Sequence, residues 1–240
     1  MEGTAGIVLA GGRSARMGTP KATLEWEGST LLARVVDAVG RATGRVVVVR
    51  SPGQALPALP AGVTMVQDAR RDRGPLEAML AGLKAVEADA EIAFVAAVDL
   101  PFLHPAIVAR VIRSVGPGID AAVPVVAGRP QPLAAAYRVG LLPLVAELAD
   151  GATRRMGELL DRVRVVRLDE AALLADPVVA AADPRLAGLR DLDTPADLAD
   201  ARARAAQLMR ENGTGRPAST PSASSATQAS AVAPAREVTA

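Results

Sequence analysis

Cysteine is absent, and aromatic residues are scarce: two Phe, one Tyr and one Trp among 240 residues. Without thiols there is no disulfide framework, no thiolate metal site and no cysteine nucleophile, which suits a reducing compartment and makes the cytoplasm the default location. So few aromatic rings leave no stacking platform for single-stranded nucleic acid. Charge of either sign is also lacking in excess. The formal net charge is +1, and residues 212–240 hold Arg216 and Arg236 against Glu237, so the body of the chain is neutral. No basic field points to nucleic acid or a membrane surface. No stretch approaches the roughly 20 apolar residues that span a bilayer, and residues 1–12 lack the basic start of a signal peptide. His104 is the single histidine. Without partner ligands it makes a poor metal site, and it reads as a loop residue before the helix-starting Pro105.

What is present is half hydrophobic, enough for an ordinary globular core. Residues 6–21, GIVLAGGRSARMGTPK, run from a short apolar strand into a glycine-rich, basic loop. Ile7, Val8, Leu9 and Ala10 read as a buried parallel strand, and Gly11-Gly12 turns the backbone without a Cβ in the way. Backbone N–H groups in such a turn point at phosphate oxygens, with Arg13, Arg16 and Lys21 as cations beside them. The loop is neither a dinucleotide fingerprint, which needs Gly-x-Gly-x-x-Gly, nor a Walker loop, which needs Lys directly after its last glycine. Here Thr19-Pro20 separates Gly18 from Lys21. A plain turn with solvated arginines is the structural alternative.

Beyond the loop, strand and helix patterns alternate, which predicts a parallel sheet covered on both faces. Ser29 is placed to cap a helix with Leu32, Val35, Val36 and Val39 on one face. Strands are expected at residues 46–49, 63–66 and 92–98. Between the last two, the polar loop from Asp68 to Gly74-Pro75 enters a helix that buries Leu76, Met79, Leu80, Leu83 and Val86. Asp99 ends the strand at 92–98 on the edge where α/β sheets bind ligands; it suits Mg²⁺, a hard cation that takes carboxylate, phosphate and water oxygens, or else serves as a local cap. Helix 105–115 follows. Segments 121–126 and 132–137 flank a polar turn, too proline-rich for an ordinary central hairpin, in which Arg129 and Gln131 are placed to read a ligand. Helices are expected at 141–148 and 156–160 and a strand at 163–168. Thr194-Pro195-Ala196-Asp197 then reads as a capped helix start running to about 210, with Asp191 and Asp193 just before it and able to assist a metal at Asp99. Residues 1–211 form one expected domain, and the Ser-, Thr-, Pro- and Ala-rich residues 212–240 a disordered tail.

With those residues in place, the chain resembles the molybdenum cofactor guanylyltransferases, within the wider group of nucleotidyltransferases. The likeness covers residues 6–201 and rests on Leu9-Ala10-Gly11-Gly12 with Arg16-Met17-Gly18 and Lys21, on Gly74-Pro75-Leu76, on Asp99-Leu100-Pro101-Phe102, on Gln131-Pro132-Leu133, and on Asp193-Thr194-Pro195 with Asp197-Leu198. The resemblance implies a three-layer α/β/α fold with a mostly parallel, Rossmann-like sheet. It implies transfer of GMP from GTP to molybdopterin with release of pyrophosphate, a requirement for Mg²⁺, and transient contact with proteins that deliver the pterin or accept the product. Leu9, Ala10, Gly11, Gly12, Lys21, Asp68, Gly74, Pro75 and Asp99 would then hold the nucleotide. Arg16, Lys21 and Asp99 would carry the reaction, Asp99 with Asp193 the metal, and Gln131, Arg129 and Asp191 the second substrate. Gly11 matches guanylyl-type loops, where relatives that use CTP carry Ala. Asp191 and Asp193 stand where guanylyl enzymes commonly carry two asparagines and look more like the CTP users, so GTP and CTP remain alternatives at this point. Another phosphorylated acceptor, or a non-catalytic nucleotide-binding module, are the other readings.

Overall fold

The computed structural model describes residues 3–11, 18–70, 73–151 and 155–213. Strand β1 (Thr4–Leu9) is an interior strand of the main sheet. Its alternating side chains divide the core. Val8 and Ala10 face one side with Val48, Phe94 and Ala96, and Ala5, Ile7 and Leu9 face the other with Val47, Val49, Ala93 and Val95. Both sets are apolar because helices cover both faces, which is why the strand reads as a continuous apolar run.

The chain next makes a small hairpin of β2 (Glu25–Trp26) and β3 (Ser29–Thr30), closed by Glu27 and Gly28 at φ 47° and 75°. Helix α1 (Leu31–Thr43) follows, and its cap is Thr30, whose hydroxyl accepts from the Ala33 N–H at 3.2 Å. The expected cap, Ser29, is instead paired with Trp26 in the hairpin. Strand β4 (Val46–Arg50) and strand β5 (Thr64–Gln67) extend the sheet in parallel from β1. Helix α2 (Pro75–Val86) returns over the opposite face from α1, and β6 (Ile92–Ala97) pairs parallel on the other side of β1. Two glycines set how closely the helices approach. A Cβ on Gly6 would lie 2.1 Å from Val39 Cγ1 of α1, and one on Gly82 of α2 would lie 2.4 Å from Ile7 Cγ2.

Helix α3 (Pro105–Arg113) packs beside α1, with His104 as its cap: Nδ1 accepts from the Ala106 N–H at 3.2 Å. The central polar turn differs from expectation. Strand β7 (Ala121–Val126) and the two-residue β8 (Arg129–Pro130) do form a hairpin, because Ala127 and Gly128 adopt φ 49° and 72°, the left-handed pair that a two-residue turn demands. Strand β9 (Ala134–Arg138) then inserts antiparallel between β6 and β7. After α4 (Leu142–Asp150) and α5 (Met156–Asp161), strand β10 (Val165–Leu168) pairs parallel with β7 and completes the order β10-β7-β9-β6-β1-β4-β5.

Two short helices missing from the sequence reading, α6 (Glu170–Leu174) and α7 (Pro177–Ala182), follow, capped by Asp169 and Asp176. Helix α8 (Pro195–Gly213) ends the described residues. Helices α1 and α3 pack on one face of the mixed sheet and α2, α4 and α5 on the other, giving three layers, α/β/α. The chain divides into one compact unit ending at Arg202 and a second from Ala203 to Ala240; residues 214–240, most of the expected tail, lie outside the description.

Candidate active site

The carboxyl ends of β1, β4, β5 and β6 open on one edge of the sheet, where parallel α/β sheets bind ligands because the strand-to-helix loops gather there. A cavity of about 550 Å³ occupies that edge, within the range for a small-molecule site. Its floor is Leu9, Ala10 and Gly11 after β1, with Ala97, Val98 and Asp99 at the end of β6. Ser51 and Gln54 line it after β4, Asp68 after β5, and Arg73, Gly74, Pro75 and Ala78 at the start of α2. Lys21 and Leu133 close the wall on the β6 side.

Local chemistry fixes these positions. Gln54 clamps the loops after β1 and β4 together: its Nε2 donates to the Ala10 carbonyl at 2.9 Å and its Oε1 accepts from the Ser51 N–H at 3.0 Å. Gly74, at φ 83°, turns the chain sharply into α2, and Pro75 starts the helix with a preset φ. The loop after β6 is held by Arg34, whose Nε donates to the Pro101 carbonyl at 3.2 Å, and by Phe102 edge-on to the buried Trp26 ring at 5.4 Å.

The charged centre is Lys21. Its ammonium donates to Asp99 Oδ2 at 2.7 Å and to Asp193 Oδ1 at 3.2 Å. Lys21 and Asp99 are both mostly buried, with side chains 15% and 17% exposed, whereas Asp193 is 56% exposed. Burial alone would push the Lys21 pKa down, but the hydrogen bond and charge of Asp99, seconded by Asp193, hold it above its ordinary value. The pairing depends on a long-range backbone contact, Leu192 N–H to the Asp99 carbonyl at 3.1 Å, which brings residues 191–193 against the end of β6. Asp183 anchors the approach by accepting from the Ala187 and Gly188 N–H groups at 2.9 and 2.6 Å. Asp197 steadies the exit, taking the Thr194 N–H at 2.7 Å and the Thr194 hydroxyl at 2.8 Å while Thr194 Oγ1 accepts from Asp197 N–H at 3.2 Å, a reciprocal capping box. Asp191 is exposed, yet its pKa is raised, first by the partial desolvation of its carboxyl and then by the Asp193 and Asp99 carboxylates.

The expected residues Leu9, Ala10, Gly11, Lys21, Asp68, Gly74, Pro75 and Asp99 thus share one cavity. Asp193 reaches it through Lys21, and Asp191 stands in its field. Gly12, Arg13 and Arg16 lie outside the described residues. Arg129 and Gln131 are not in the lining; the Gln131 amide donates to the Arg129 carbonyl at 3.3 Å, at the edge of the cavity wall that Leu133 supplies. Sequence reasoning missed Ser51, Gln54 and Arg73. For Arg73 a signal existed, since it directly precedes Gly74-Pro75. Its buried Nε has no hydrogen-bond partner among the described residues.

Two hard oxygen donors, Asp99 and Asp193, converge on the point that the Lys21 ammonium occupies. Mg²⁺ bound together with a nucleotide takes one or two carboxylates and fills its remaining positions with phosphate oxygens and water, so this donor set fits it. Among the described residues no cluster of three or more acidic, His or Cys side chains forms a complete protein cage. Nor is any helix among them long and apolar enough to cross a membrane.

Comparison with known proteins agrees with this geometry. Residues 6–171 match the family model of the MobA-like NTP transferase domain. A probable molybdenum cofactor guanylyltransferase from Mycobacterium tuberculosis (strain ATCC 25618 / H37Rv) is 39% identical over 176 residues, covering 70% of this chain and 86% of that protein. Molybdopterin-guanine dinucleotide biosynthesis protein A from Archaeoglobus fulgidus superposes with a TM-score of 0.66 at 20% identity, over 85% of this chain and 99% of its own. A Mycobacterium tuberculosis protein solved as a complex with manganese gives a TM-score of 0.55 at 22% identity, over 70% and 89% of the two chains.

Proposed function

The chain belongs to the family of MobA-like NTP transferase domains, and from that premise we propose that it transfers GMP from GTP to molybdopterin, forming the guanine dinucleotide cofactor and pyrophosphate. The observation that carries this reading is the Lys21 ammonium held by Asp99 and Asp193 at one end of a nucleotide-sized cavity floored by Leu9, Ala10 and Gly11.

In the reaction an oxygen of the pterin's terminal phosphate attacks the α-phosphorus of GTP. The bond from that phosphorus to the oxygen bridging to the β-phosphate breaks, and pyrophosphate leaves with the electron pair. The attacking oxygen is already ionised, so the site needs cations to bring two anions together rather than a base to remove a proton. Lys21 supplies one, poised and fully charged, and Arg16 is assigned to the same phosphates. Mg²⁺ on Asp99, with Asp193, would neutralise phosphate charge when bound. When phosphates enter, Lys21 exchanges its two carboxylates for them, and those carboxylates become free for the metal. Gly12 belongs with the phosphate loop. Asp68, Gly74 and Pro75 are assigned to the nucleotide, and Asp191, Gln131 and Arg129 to the acceptor. The guanylyltransferase names of the relatives favour GTP over the CTP alternative that Asp191 and Asp193 raise.

We also place the enzyme in the cytoplasm, in transient contact with proteins that deliver molybdopterin and accept the product. The test is to incubate the protein with Mg²⁺, molybdopterin and each nucleoside triphosphate in turn, and to identify the dinucleotide by mass. A guanine product is expected; a cytosine product from CTP alone would overturn the base assignment.

A further inference from the structure

We infer that Arg73 reads the guanine base, its guanidinium donating to the O6 and N7 acceptors, and that it thereby selects GTP over CTP. The inference deepens the guanylyl-transfer reading and rests on it.

Two arginines of the same loop have opposite fates. Arg70 is fully engaged: its Nε lies 3.2 Å from both oxygens of Glu77, and its terminal nitrogen is 2.7 Å from Glu77 Oε2 and 2.7 Å from Asp150 Oδ1. Glu77 is only 3% exposed, so the one carboxylate on the first turn of α2 is already neutralised. Arg73 lines the cavity, yet its buried Nε meets no acceptor among the described residues. A buried N–H without a partner is costly, and such a group in a ligand cavity is best explained by an acceptor that arrives with the ligand.

The position of Arg73 indicates which part of the ligand that is. Lys21 and Asp99 mark the phosphate end, at the tip of β6. Asp68 lies beyond the tip of β5, three strands away in the order β6-β1-β4-β5, and Arg73 ends the loop that leads from it into α2. At about 4.8 Å per strand Asp68 is about 14 Å across the sheet from Asp99, so a nucleotide with its phosphates at Lys21 extends its base toward the loop between β5 and α2 that carries Arg73. Gly74, with φ 83°, sets Arg73 on the rim beside the amino end of α2, where the helix dipole also favours acceptors over donors. Guanine offers two adjacent acceptors, O6 and N7, that match a guanidinium fork. Cytosine presents its N4 amino donor instead, and adenine a mixed pair.

The test is equilibrium binding of Mg·GTP, Mg·CTP and Mg·7-deaza-GTP to the full chain by calorimetry, for wild type, Arg73→Ala and Arg73→Met. The Met variant keeps the apolar stem, and thermal melting checks the fold of both. A bidentate Arg–guanine contact is worth about 5- to 150-fold in affinity. Both variants should therefore weaken Mg·GTP by about that factor and Mg·CTP by less than about threefold. Wild type should bind 7-deaza-GTP, which lacks the N7 acceptor, more weakly than GTP, and the variants should bind the two alike. Equal losses for GTP and CTP in a folded variant would make Arg73 a phosphate or ribose contact and overturn the inference while leaving guanylyl transfer intact. Wild type that does not distinguish 7-deaza-GTP from GTP would overturn it too. Wild type preferring Mg·CTP would overturn the guanylyl reading itself, and the inference with it.

Discussion

Replacing Gly11 by Ala tests how the nucleotide loop is built. Gly11 is not in the left-handed region of backbone space, so the substitution costs no backbone strain. The new methyl would instead meet the loop after β4: its Cβ would lie 2.5 Å from Ser51 Oγ, 3.3 Å from the Ser51 nitrogen and 3.5 Å from Ser51 Cβ. The Ser51 backbone cannot simply retreat, because its N–H is held by Gln54, which also holds Ala10. The hydroxyl must leave its rotamer well, at about 0.5–1.5 kcal/mol, and the tight contact with the nitrogen remains. Overpacking of this kind costs about 1–3 kcal/mol in total, equivalent to about 2–12 °C in Tm for a domain of this size. Both residues line the cavity, so kcat/KM for GTP should also fall, by about tenfold or more. Removing the hydroxyl should undo much of this. In the pair Gly11→Ala and Ser51→Ala, thermal melts and a pyrophosphate-release assay should give a double-mutant coupling above about 0.5 kcal/mol in favour of the double variant. Additive effects, with no recovery, would show that the methyl acts directly on the bound base and that the Ser51 clash is not the cause.

Asp99→Asn should lower turnover by more than about a hundredfold at limiting Mg²⁺, because an amide is a much poorer ligand for the metal; the fold should survive, since the contact to Leu192 uses the Asp99 main-chain carbonyl. Pyrophosphate release within tenfold of wild type would remove Asp99 from the metal site. Asp120 has its pKa held down by the Arg164 side chain and then by the Arg164 N–H. Its contribution to stability is therefore present above the usual carboxylate range and lost as pH falls through the lowered folded value, so Asp120→Asn should reduce Tm at pH 7, by an amount that shrinks as the pH of a melting series is taken below that range. Deleting residues 212–240 should leave catalysis and Tm unchanged, because the segment lacks the apolar periodicity needed to dock; a fall of several degrees on truncation would show that it packs.

Much of the fold was legible because its signals are local. Continuous apolar runs marked β1, β4 and β6, and helical spacing marked the buried faces of α1, α2 and α3. Thr194-Pro195 with Asp197 announced the start of α8 three residues at a time. The misses have the same cause in reverse. Ser29 and Thr30 are equally good caps in one dimension, and only the Trp26 hairpin decides between them. The central turn was discounted for its proline, whereas the paired left-handed Ala127 and Gly128 close it regardless.

At the site, the residue types alone designated Gly11, Lys21 and Asp99, since a glycine-rich turn, a cation and a strand-end carboxylate are each recognisable from their neighbours. Tertiary structure decided their relations. Lys21 meets Asp99 across 78 residues of chain and Asp193 across 172, because the Leu192 N–H finds the Asp99 carbonyl. Gly11 is glycine for want of room beside Ser51, a constraint set by the pairing of β1 with β4 and invisible in the loop itself. Arg70 and Arg73 are indistinguishable as letters. The packing of α2 against α4 brings Asp150 and the buried Glu77 to Arg70 and leaves Arg73 facing the cavity, because a buried charge goes to whichever opposite charge the fold places within reach.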